Sequence, residues 1–592
     1  MKFQWFWISA ATLLACYIFV NKVVRNLNDW YYNLKLRKRQ YPLPPGHMGW
    51  PLIGNLWHFF KDFSSGSREL FTNNIFLRYE RTGIYKTHLY GCPSIIVTAP
   101  DMCKKVLNDE VTFKLGYPKA VTVLASNRVL SSEHGRLKRL VTAPIAGYNV
   151  STLYLERIED IVINKLEELS SMKHPITFLE EMRKVSFKFV IQIFLGSCDQ
   201  STVNEIGDLF HVMSSALFSL MPINVPGFLF HKALKARKKF AKIVQSIIDE
   251  RRMMTTKNGQ IGEKNDLLNI LLEINDEEGE KLEDKDIIDL LISLLFGGHD
   301  STAVGMMWTI MHLTQHPHCM KKAKEEQEEI MKARPPSQKR LSNGEIKKMV
   351  YLSQVFDETL RHTSVFSLFR EATTDVNING YLIPKGWKVL VWLSAMHMIP
   401  EHHSNPEEYN PSRWDDYNPA TGTFLPFGIG RRLCPGRDLA KYEMTIFLHY
   451  FILNYKLERI NPECPLTSFP YVMPVDKCFA KGDGNNWFED AMVRKVGNGD
   501  STRLWLDCWI GDAPLGVIFP CMFPLSTQKE TVIREMQLDT DFTADGSFSV
   551  KSTNSLLAKE FLVDETVEVF EMFLHIWDNL APSKVIASLW TM

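Results

Sequence analysis

The sequence predicts a mostly α-helical protein with small β-sheets, behind an N-terminal transmembrane helix. Helical periodicity dominates from Val97 to about residue 275, and another long apolar segment runs from Asp284 to His316. Strand signals are short by comparison. Tyr85–Val97 has the pattern of a strand, a turn and a strand, and Val376–Gly386 contains an Asn-Gly pair typical of a tight hairpin. We therefore expect a large helical body that carries a small sheet.

The composition permits a large core but indicates no charged partner. Of the 592 residues, 45% are apolar, and the 68 basic and 68 acidic side chains cancel. A chain of this length can bury a large core, and a net charge of zero does not point to nucleic acid or to an acidic partner. The ten cysteines are scattered without a C-x-x-C pair, which is typical of a reducing compartment and not of a disulfide framework.

The chain begins with an apolar stretch, Phe3–Val20, that is followed by basic residues such as Lys22 and Arg25. About 20 apolar residues span a bilayer, and basic residues after a span place the following chain on the cytoplasmic side. We expect a single-pass signal anchor over residues 1–24. A cleaved secretory signal is the alternative, which the lack of a small-x-small cleavage site disfavours. Residues 25–55 are basic and then rich in proline, which predicts a stiff hinge.

One cysteine lies in the loop that most clearly indicates chemistry, Phe424–Gly436, and a helix-like run follows it. Glycines let a backbone pass close to a flat ligand, and Pro435 tightens the turn before the helix. Such a loop can hold a thiolate toward a large cofactor. A lone cysteine is more often an inert buried thiol, which is the alternative. The residues that frame this one stand at fixed spacing: Phe427, Gly430, Arg432, Cys434 and Gly436.

This frame resembles the haem-binding loop of the cytochrome P450 family, in which the cysteine is the proximal ligand of the haem iron. The resemblance implies a cytochrome P450 fold over residues 56–481, with the haem held by Cys434. It also implies a monooxygenase that uses dioxygen and receives electrons from an NADPH–cytochrome P450 reductase docked near Cys434. The anchor and hinge resemble those of microsomal members, which implies the endoplasmic reticulum membrane and a catalytic domain on its cytoplasmic side.

The middle of the segment Asp284–His316 reads Gly297-Gly298-His299-Asp300-Ser301-Thr302. A helix of about 30 residues is about 45 Å long. Each glycine in its interior costs about 1 kcal/mol, so the pair indicates a kink or a close ligand; a tolerated kink in a core helix is the alternative. Together with the cysteine loop, the motif resembles the oxygen-activating groove of the family. The resemblance implies that Asp300, Ser301 and Thr302 supply protons to dioxygen.

The resemblance assigns further residues to the haem and to its support. Glu358 and Arg361 form an E-x-x-R pair, and with Arg413 they would make a buried structural ion cluster. The residues that would hold the haem propionates are Arg370, His134 and Lys138. Without the resemblance, the charged helix around the last two residues would more often be a solvated face.

The last segment, residues 482–592, falls outside this resemblance. It contains Val496–Gly511 and Ile576–Val585, which resemble the segment that follows the reverse transcriptase in plant non-LTR retroelements. That segment normally continues into a Cys/His zinc cluster, whereas Cys508 and Cys521 lack metal-ligand spacing. We expect an inactive, truncated remnant. A functional nucleic-acid module is the alternative, but no basic stripe with interleaved aromatic residues supports it, so no nucleic-acid partner is expected.

Within the family, four segments resemble the plant subfamily that includes ent-kaurenoic acid oxidases and β-amyrin 11-oxidases. These segments are 35–55, Asn224–Leu234, Asp375–Trp387 and Leu453–Glu463. The resemblance implies a polycyclic terpenoid substrate in an apolar pocket, and the anchor and hinge favour oxidation of β-amyrin at carbon 11. The alternatives are a diterpenoid oxidation of the ent-kaurenoic acid type and a non-catalytic chimera of the P450 with the retroelement tail.

Overall fold

The computed structural model describes the larger part of the chain. The described residues are 19–20, 22–24, 26–36, 39–51, 54–56, 59, 75, 77–126, 141–142, 144–145, 153–172, 174–217, 222–258, 266–274, 281–363, 367–415, 419, 422–467 and 472–483. The chain divides into two compact units, one of residues 1–171 and 175–482 and one of residues 172–174 and 483–592. Three predictions lie outside the described residues: most of the anchor, the pair His134 and Lys138, and the tail from residue 484.

Helices make up most of the first unit, as the sequence predicts. They are α1 (Pro100–Asn108), α2 (Lys119–Ala125), α3 (Leu155–Ser171), α4 (Phe178–Phe194), α5 (Gln200–Ser215), α6 (Leu229–Asn258), α7 (Leu267–Glu273), α8 (Asp284–Gln315), α9 (Pro317–Ala333), α10 (Asn343–Lys348), α11 (Val350–Thr363), α12 (Leu393–Met396) and α13 (Arg437–Asn454). Two short 3-10 turns, Pro411–Trp414 and Gly430–Arg432, lie between α12 and α13.

The strands form small sheets, the largest with the order β1-β2-β8-β5-β3. In it, β2 and β8 are parallel and the other neighbours are antiparallel. The strands are β1 (Ile84–Leu89), β2 (Cys92–Val97), β3 (Phe113–Leu115), β4 (Ile176–Thr177), β5 (Ser367–Ala372), β6 (Val376–Ile378), β7 (Tyr381–Ile383), β8 (Lys388–Trp392), β9 (Lys456–Arg459), β10 (Leu466–Thr467), β11 (Met473–Pro474) and β12 (Phe479–Asp483).

Both hairpins predicted from the sequence are present, and their turns explain why. Tyr90 and Gly91 join β1 to β2 with φ values of 52° and 72°, and Asn379 and Gly380 join β6 to β7 with 49° and 85°. Positive φ at both central residues is the pattern of a type I′ turn, which suits the twist of two antiparallel strands. Asn and Gly tolerate this conformation best. The Asn-Gly pair in the sequence therefore correctly predicted the turn between β6 and β7.

The helix α8 is the centre of the helical body and confirms the long helix predicted over this segment. It runs unbroken through Gly297 and Gly298 and packs against α4, α6, α11 and α13. A Cβ on Gly298 would lie 3.3 Å from the side chain of Val190 on α4, so glycine permits a close helix contact here. In the described part of the chain, α8 is the helix long and apolar enough to cross a membrane, but 56% of its apolar window is buried inside the fold. Its apolar character therefore reflects its place in the core.

The predicted hinge is fastened to the first strand by polar side chains. Residues 26–35 are helical, and the buried Asn28 side chain donates to the carbonyl oxygens of Met48 and Gly49 at 3.1 Å each. Asp29 accepts from the Met48 N–H at 3.2 Å and lies 3.4 Å from the amine of Lys86 on β1. Backbone carbonyl groups in the irregular part of the hinge, which have no partner in a helix or strand there, thus accept hydrogen bonds from side chains. The first part of the predicted hinge is a helix, and both parts are attached to the body.

Candidate active site

The loop that carries Cys434 is held by its own backbone and by a close contact with α1. The Cys434 N–H donates to the Phe427 carbonyl at 2.9 Å, and Gly428 and Gly430 take φ values of 76° and 70°. A Cβ on Gly430 would lie 2.4 Å from the amide oxygen of Asn108, so this position requires glycine for space as well as for conformation. The side chain of Cys434 is exposed. The loop therefore leaves the thiol accessible to a ligand.

The end of the loop prepares α13, which begins at Arg437 with Gly436 as its N-cap residue. A Cβ on Gly436 would lie 4.0 Å from the sulfur of Cys434, which is ordinary van der Waals contact. The N-terminus of a helix carries partial positive charge from its unpaired N–H groups, and this charge favours an anionic sulfur. Phe427 stacks on Phe356 of α11 with ring centroids 6.2 Å apart and an interplanar angle of 17°. The loop thus rests on α11 and leads into α13.

A buried carboxylate on α11 joins this helix to the turn Pro411–Trp414. Glu358 accepts from Arg361 at 2.9 Å and 3.0 Å and from the Arg413 Nε at 3.0 Å. Its oxygens also accept from the Asn410 N–H at 2.9 Å and from the Trp414 indole at 3.0 Å. Both Glu358 and Arg361 are fully buried. The structure thus brings together the three residues that the sequence grouped as an ion cluster.

The electrostatics of this cluster favour the ionised carboxylate. Burial alone would raise the pKa of Glu358, but hydrogen bonds from His362 and Arg361, together with the Arg361 charge, hold the pKa well below its usual range. Arg361 also donates to the carbonyl oxygens of His397 and Glu408, and Arg413 donates to that of Ser404. The cluster therefore holds several segments of the chain between α11 and the cysteine loop.

The open face of α8 consists of Gly297 and Ser301, one turn apart. A Cβ on Gly297 would meet no atom within 4 Å among the described residues, and the exposed Ser301 donates to the Gly297 carbonyl at 2.6 Å. Thr302, by contrast, is buried. One turn beyond Ser301, a Cβ on Gly305 would lie 3.0 Å from the sulfur of Met444 on α13. This line of residues therefore starts at an open surface and ends against the helix that follows Cys434.

Asp300 is engaged in an ion pair that the sequence analysis did not predict. Arg183 of α4 donates to its carboxylate at 2.8 Å, and the His299 Nδ1 lies 3.4 Å away. Burial would raise the pKa of Asp300, but the hydrogen bond from His299 and the charge of Arg183 lower it overall. Arg183 also donates to Glu180 at 3.0 Å. Arg183 lies 117 residues before Asp300, so no local pattern indicated the pair.

Two guanidinium groups lie close to the cysteine loop with little negative charge beside them. Arg370 on β5 is 4% exposed and donates to the Phe369 carbonyl at 3.1 Å. The Arg432 Nε lies 3.1 Å from Glu110, while its buried Nη1 makes no hydrogen bond to any described residue. Burial lowers the pKa of Arg370, and the charge of Arg432 lowers it further, against the opposing effects of Tyr117 and Glu110. Buried guanidinium donors that lack an acceptor in the chain suit an anionic group.

A cavity of about 710 Å³ lies beside these arginines. Aromatic rings line much of it, with the Phe369 centroid 5.4 Å from that of Tyr117 and 6.2 Å from that of Tyr90. Burial raises the pKa of both tyrosines, so their phenol groups stay neutral. Other residues that line it include Leu115, Pro222, Leu390 and Arg432. Glu371, also in the lining, pairs with Lys114 at 2.9 Å and Lys388 at 2.6 Å. Most of the lining is apolar, and two of its lysines, Lys114 and Lys388, are paired with Glu371.

A cysteine loop packed on α11 and α13, an open glycine-serine face on a core helix and a buried cationic corner define a haem-thiolate protein. The match to the family model described as "Cytochrome P450" covers residues 44–477. The chain belongs to the cytochrome P450 family, and this confirms the family predicted from the cysteine loop. The cofactor of the family is haem with a cysteine thiolate as axial ligand, and the enzymes of the family are oxidases and monooxygenases that use dioxygen and a redox partner.

Similar proteins narrow the subfamily. The chain is 62% identical to the β-amyrin 11-oxidase of Glycyrrhiza uralensis over 487 residues, which are 81% of this chain and 99% of that protein. It is 44% identical to ent-kaurenoic acid oxidase 2 of Arabidopsis thaliana over 471 residues, which are 78% of this chain and 95% of that protein. The solved structure of retinoic acid bound cyanobacterial CYP120A1 has a TM-score of 0.66 at 25% identity and covers 75% of this chain and 100% of that one. These findings confirm the predicted cytochrome P450 fold.

The residues present fit a haem. The exposed Cys434 can supply the thiolate, and the underused donors of Arg370 and Arg432 suit two carboxylates. His134 and Lys138, predicted to serve the same carboxylates, lie outside the described residues. Glu110 and Asn108 are contacts of the loop that the sequence analysis missed, because nothing in their local sequence points to the loop.

We predict that Glu358→Gln destabilises the fold by about 3–5 kcal/mol, because Arg361 would keep its charge in the core without a carboxylate. Unfolding by guanidinium chloride, followed by circular dichroism, measures the loss. The folded pKa of Glu358 is depressed, so its contribution is present above the unfolded pKa and fades as pH falls through the folded value. The stability difference between wild type and variant should therefore shrink toward low pH.

The matched control for this prediction is Glu325→Gln. Glu325 pairs with Lys321 at 3.8 Å on the surface, where both side chains are more than half exposed. Exposed pairs contribute little, so this variant should unfold like the wild type. Equal unfolding curves for Glu358→Gln and Glu325→Gln would contradict a stabilising role of the buried cluster.

Proposed function

We propose that this enzyme oxidises β-amyrin, or a closely similar pentacyclic triterpenoid, at carbon 11. The observation that carries the proposal is the 62% identity to a β-amyrin 11-oxidase over 99% of that protein, against 44% for an ent-kaurenoic acid oxidase. In such a reaction one atom of dioxygen enters a C–H bond and the other leaves as water, while two electrons come from NADPH. The bound haem supplies the oxidising chemistry. The chain positions the substrate, excludes water from the site and supplies protons.

The cavity supports a bulky neutral substrate. Its volume of about 710 Å³ lies in the range of about 300–1,000 Å³ that is usual for small-molecule sites. Tyr90, Tyr117 and Phe369 offer flat apolar surfaces to a fused ring system. Lys114 and Lys388 share the carboxylate of Glu371, so the lysine charges beside the apolar lining are partly neutralised. A hydrocarbon skeleton with few polar groups fits these surroundings better than a charged molecule does.

The residues of the cysteine loop and its surroundings would bind the haem. We assign the axial thiolate to Cys434 and the propionate contacts to Arg370 and Arg432, with His134 and Lys138 as further propionate partners. Phe427, Gly430 and Gly436 would shape the loop. The support for the arginines is the burial of Arg370 and the buried Arg432 Nη1, which has no acceptor among the described residues.

Proton supply is assigned to the motif on α8. Ser301 lies on the open face of the helix and carries a hydroxyl that can pass a proton. Asp300 is partly exposed, with 24% of its side chain accessible, and is kept ionised by Arg183 and His299. An ionised carboxylate at the edge of the fold can take up protons from water. Thr302 is buried in α8, and we assign to it a supporting hydroxyl in the same step.

The partners of the enzyme follow from its class. We propose an NADPH–cytochrome P450 reductase as the electron donor, docked where Arg431 and Arg437 expose positive charge beside the cysteine loop. We place the protein in the endoplasmic reticulum membrane through the segment 1–24, with membrane lipid as its surroundings and the catalytic domain, residues 56–481, cytoplasmic. No nucleic acid is proposed as a partner, and the tail is assigned no role.

Expressed with a plant reductase, the full chain should convert β-amyrin to a product oxidised at carbon 11 and leave ent-kaurenoic acid unchanged. Mass spectrometry and NMR of the product measure this.

The reduced protein with carbon monoxide should show the Soret band of a thiolate-ligated haem, which Cys434→Ser should abolish and Cys464→Ser should retain. Turnover of ent-kaurenoic acid in place of β-amyrin would favour the diterpenoid alternative. A wild-type chain with no thiolate band would favour the non-catalytic chimera.

Replacing Arg183 should change the pH dependence of this activity. In Arg183→Gln the cation beside Asp300 is lost, so burial raises the pKa of Asp300 with only His299 to oppose it. The acidic limb of the pH–rate profile should therefore move to higher pH, because Asp300 becomes protonated sooner as the pH falls. Lys184→Gln is the control, since it removes the neighbouring cation, which pairs with Glu181 at 2.7 Å. An unmoved limb in Arg183→Gln would argue against Asp300 as a proton carrier.

Ending the chain after Asp483 should leave haem content and the thiolate band unchanged. This cut retains β12, whose Phe479 and Ala480 pair with β4 and complete a three-stranded sheet. The family match ends at residue 477, before the tail begins. Haem per protein, measured as the pyridine haemochrome, checks the expectation. A large loss of haem in the shortened chain would show that residues 484–592 support the catalytic domain.

A further inference from the structure

One wall of the cavity is a short helix that cannot hold its place alone. Lys119, Ala120 and Thr122 of α2 line the cavity. Seven residues are too few for a stable isolated helix. The position of this wall therefore depends on what holds α2 against the rest of the protein.

The apolar contacts of α2 are modest. Ala120 and Leu124 pack with Ala216, Phe230 and Ala233 in a small buried cluster, against which the partly buried Leu217, Leu234 and Phe296 also pack. Three of the five buried residues are alanines, which bury little apolar area compared with larger side chains. The fully buried part of this contact is therefore small.

Polar side chains close around the end of α2. Ser126, which follows the helix, donates to Asp289 of α8 at 2.9 Å, and Arg237 of α6 donates to the other oxygen of the same carboxylate. Arg237 also donates to the Leu124 carbonyl at 3.0 Å, and Ser293 of α8 donates to the Ala125 carbonyl. The last carbonyl groups of a helix lack partners within it, so these donors satisfy the end of α2 from two other helices.

Asp289 is the centre of this arrangement. It is 7% exposed, and its two oxygens serve donors from two different segments. Ser126 has a φ of 96°, an uncommon value for a residue with a side chain, and such values persist where the surroundings enforce them. Asp289 lies eight residues, or about 12 Å of helix, before Gly297. A buried carboxylate costs free energy unless it is paired. The position of Asp289 therefore indicates that it serves to hold Ser126 and Arg237 together.

We propose that Asp289 is a positioning residue for ligand access. By binding Ser126 and Arg237 at once, it fastens α2 as a wall of the cavity and so sets how fast a bulky apolar ligand enters and leaves. The part of this inference that concerns the ligand rests on the function proposed above, whereas the fastening of α2 does not.

The chain offers a matched control on the same two helices. Arg252 of α6 binds Asp284 of α8 through two hydrogen bonds of 2.5 Å and 2.9 Å. The hydrogen bonds of Asp284 go to Arg252 and to Gln245, and both of these partners lie on α6. Asp284→Asn thus weakens an ion pair between α6 and α8 without touching the wall.

Hydrogen–deuterium exchange of the substrate-free holoenzyme tests the fastening. Asp289→Asn removes the negative charge that pairs with Arg237 and replaces one of the two acceptor oxygens by a donor, so the junction around Ser126 and Arg237 is weakened. Amides in a peptide covering Val121–Ser126 should exchange at least tenfold faster in this variant and in Arg237→Gln. The double variant should exchange more slowly than the product of the two single effects predicts, because both substitutions remove the shared Arg237–Asp289 pair. Asp284→Asn should match the wild type. Wild-type exchange of this peptide in both single variants would overturn the proposal.

Stopped-flow binding tests the consequence for ligands. In Asp289→Asn, the association and dissociation rates of β-amyrin, followed by the Soret shift, should each rise about tenfold, while those of the small iron ligand imidazole stay within twofold. Unchanged β-amyrin rates alongside faster exchange would overturn the role in access. If wild type does not bind β-amyrin, the proposed substrate is wrong, and the exchange result still decides whether α2 is fastened. Arg237→Gln provides both measurements if Asp289→Asn lacks the thiolate band and is misfolded.

Discussion

The position of Cys434 depends on one buried carboxylate. Glu358 binds arginines from α11 and from the turn Pro411–Trp414, while Phe356, two residues earlier on α11, stacks on Phe427 of the cysteine loop. The helix therefore holds the approach to the loop by charge and the loop itself by ring packing. An isolated ion pair in the core rarely stabilises a fold by much. Here the pair has further backbone partners, so its value lies in fixing several segments at once.

The core helix α8 brings the other parts of the site into register. Along one continuous helix, Asp289 reaches the wall of the cavity, Gly297 and Ser301 form the open face, and Gly305 packs against α13. A helix fixes such spacings rigidly at about 1.5 Å per residue. The cost is three glycines in its interior, Gly297, Gly298 and Gly305, which burial on the remaining faces offsets. A loop with the same residues would not hold them at a constant separation.

Local sequence patterns predicted the features that depend on neighbouring residues. The glycine spacing around Cys434, the two type I′ turns and the length of α8 all follow from rules that operate within a few residues. The ion pair of Arg183 with Asp300 joins residues 117 apart, and the bond of Ser126 to Asp289 spans 163. Such contacts depend on how the helices pack, and neither partner stands in a distinctive local pattern. The family resemblance supplied Glu358 with Arg413 but none of these specific contacts.

Whether buried guanidinium donors find acceptors within the chain separates support from binding in this protein. At Glu358, Arg361 and Arg413 donate to the carboxylate and, with their remaining N–H groups, to backbone carbonyl oxygens. At the cysteine loop, Arg432 lies beside Glu110, but its buried Nη1 has no acceptor among the described residues, and the hydrogen bond of the buried Arg370 goes to the Phe369 carbonyl. A fold gains no stability from burying a positively charged group that has no acceptor. The missing acceptor at the cysteine loop is therefore explained by an anionic group that is not part of the chain. The two carboxylates of a haem have the required charge.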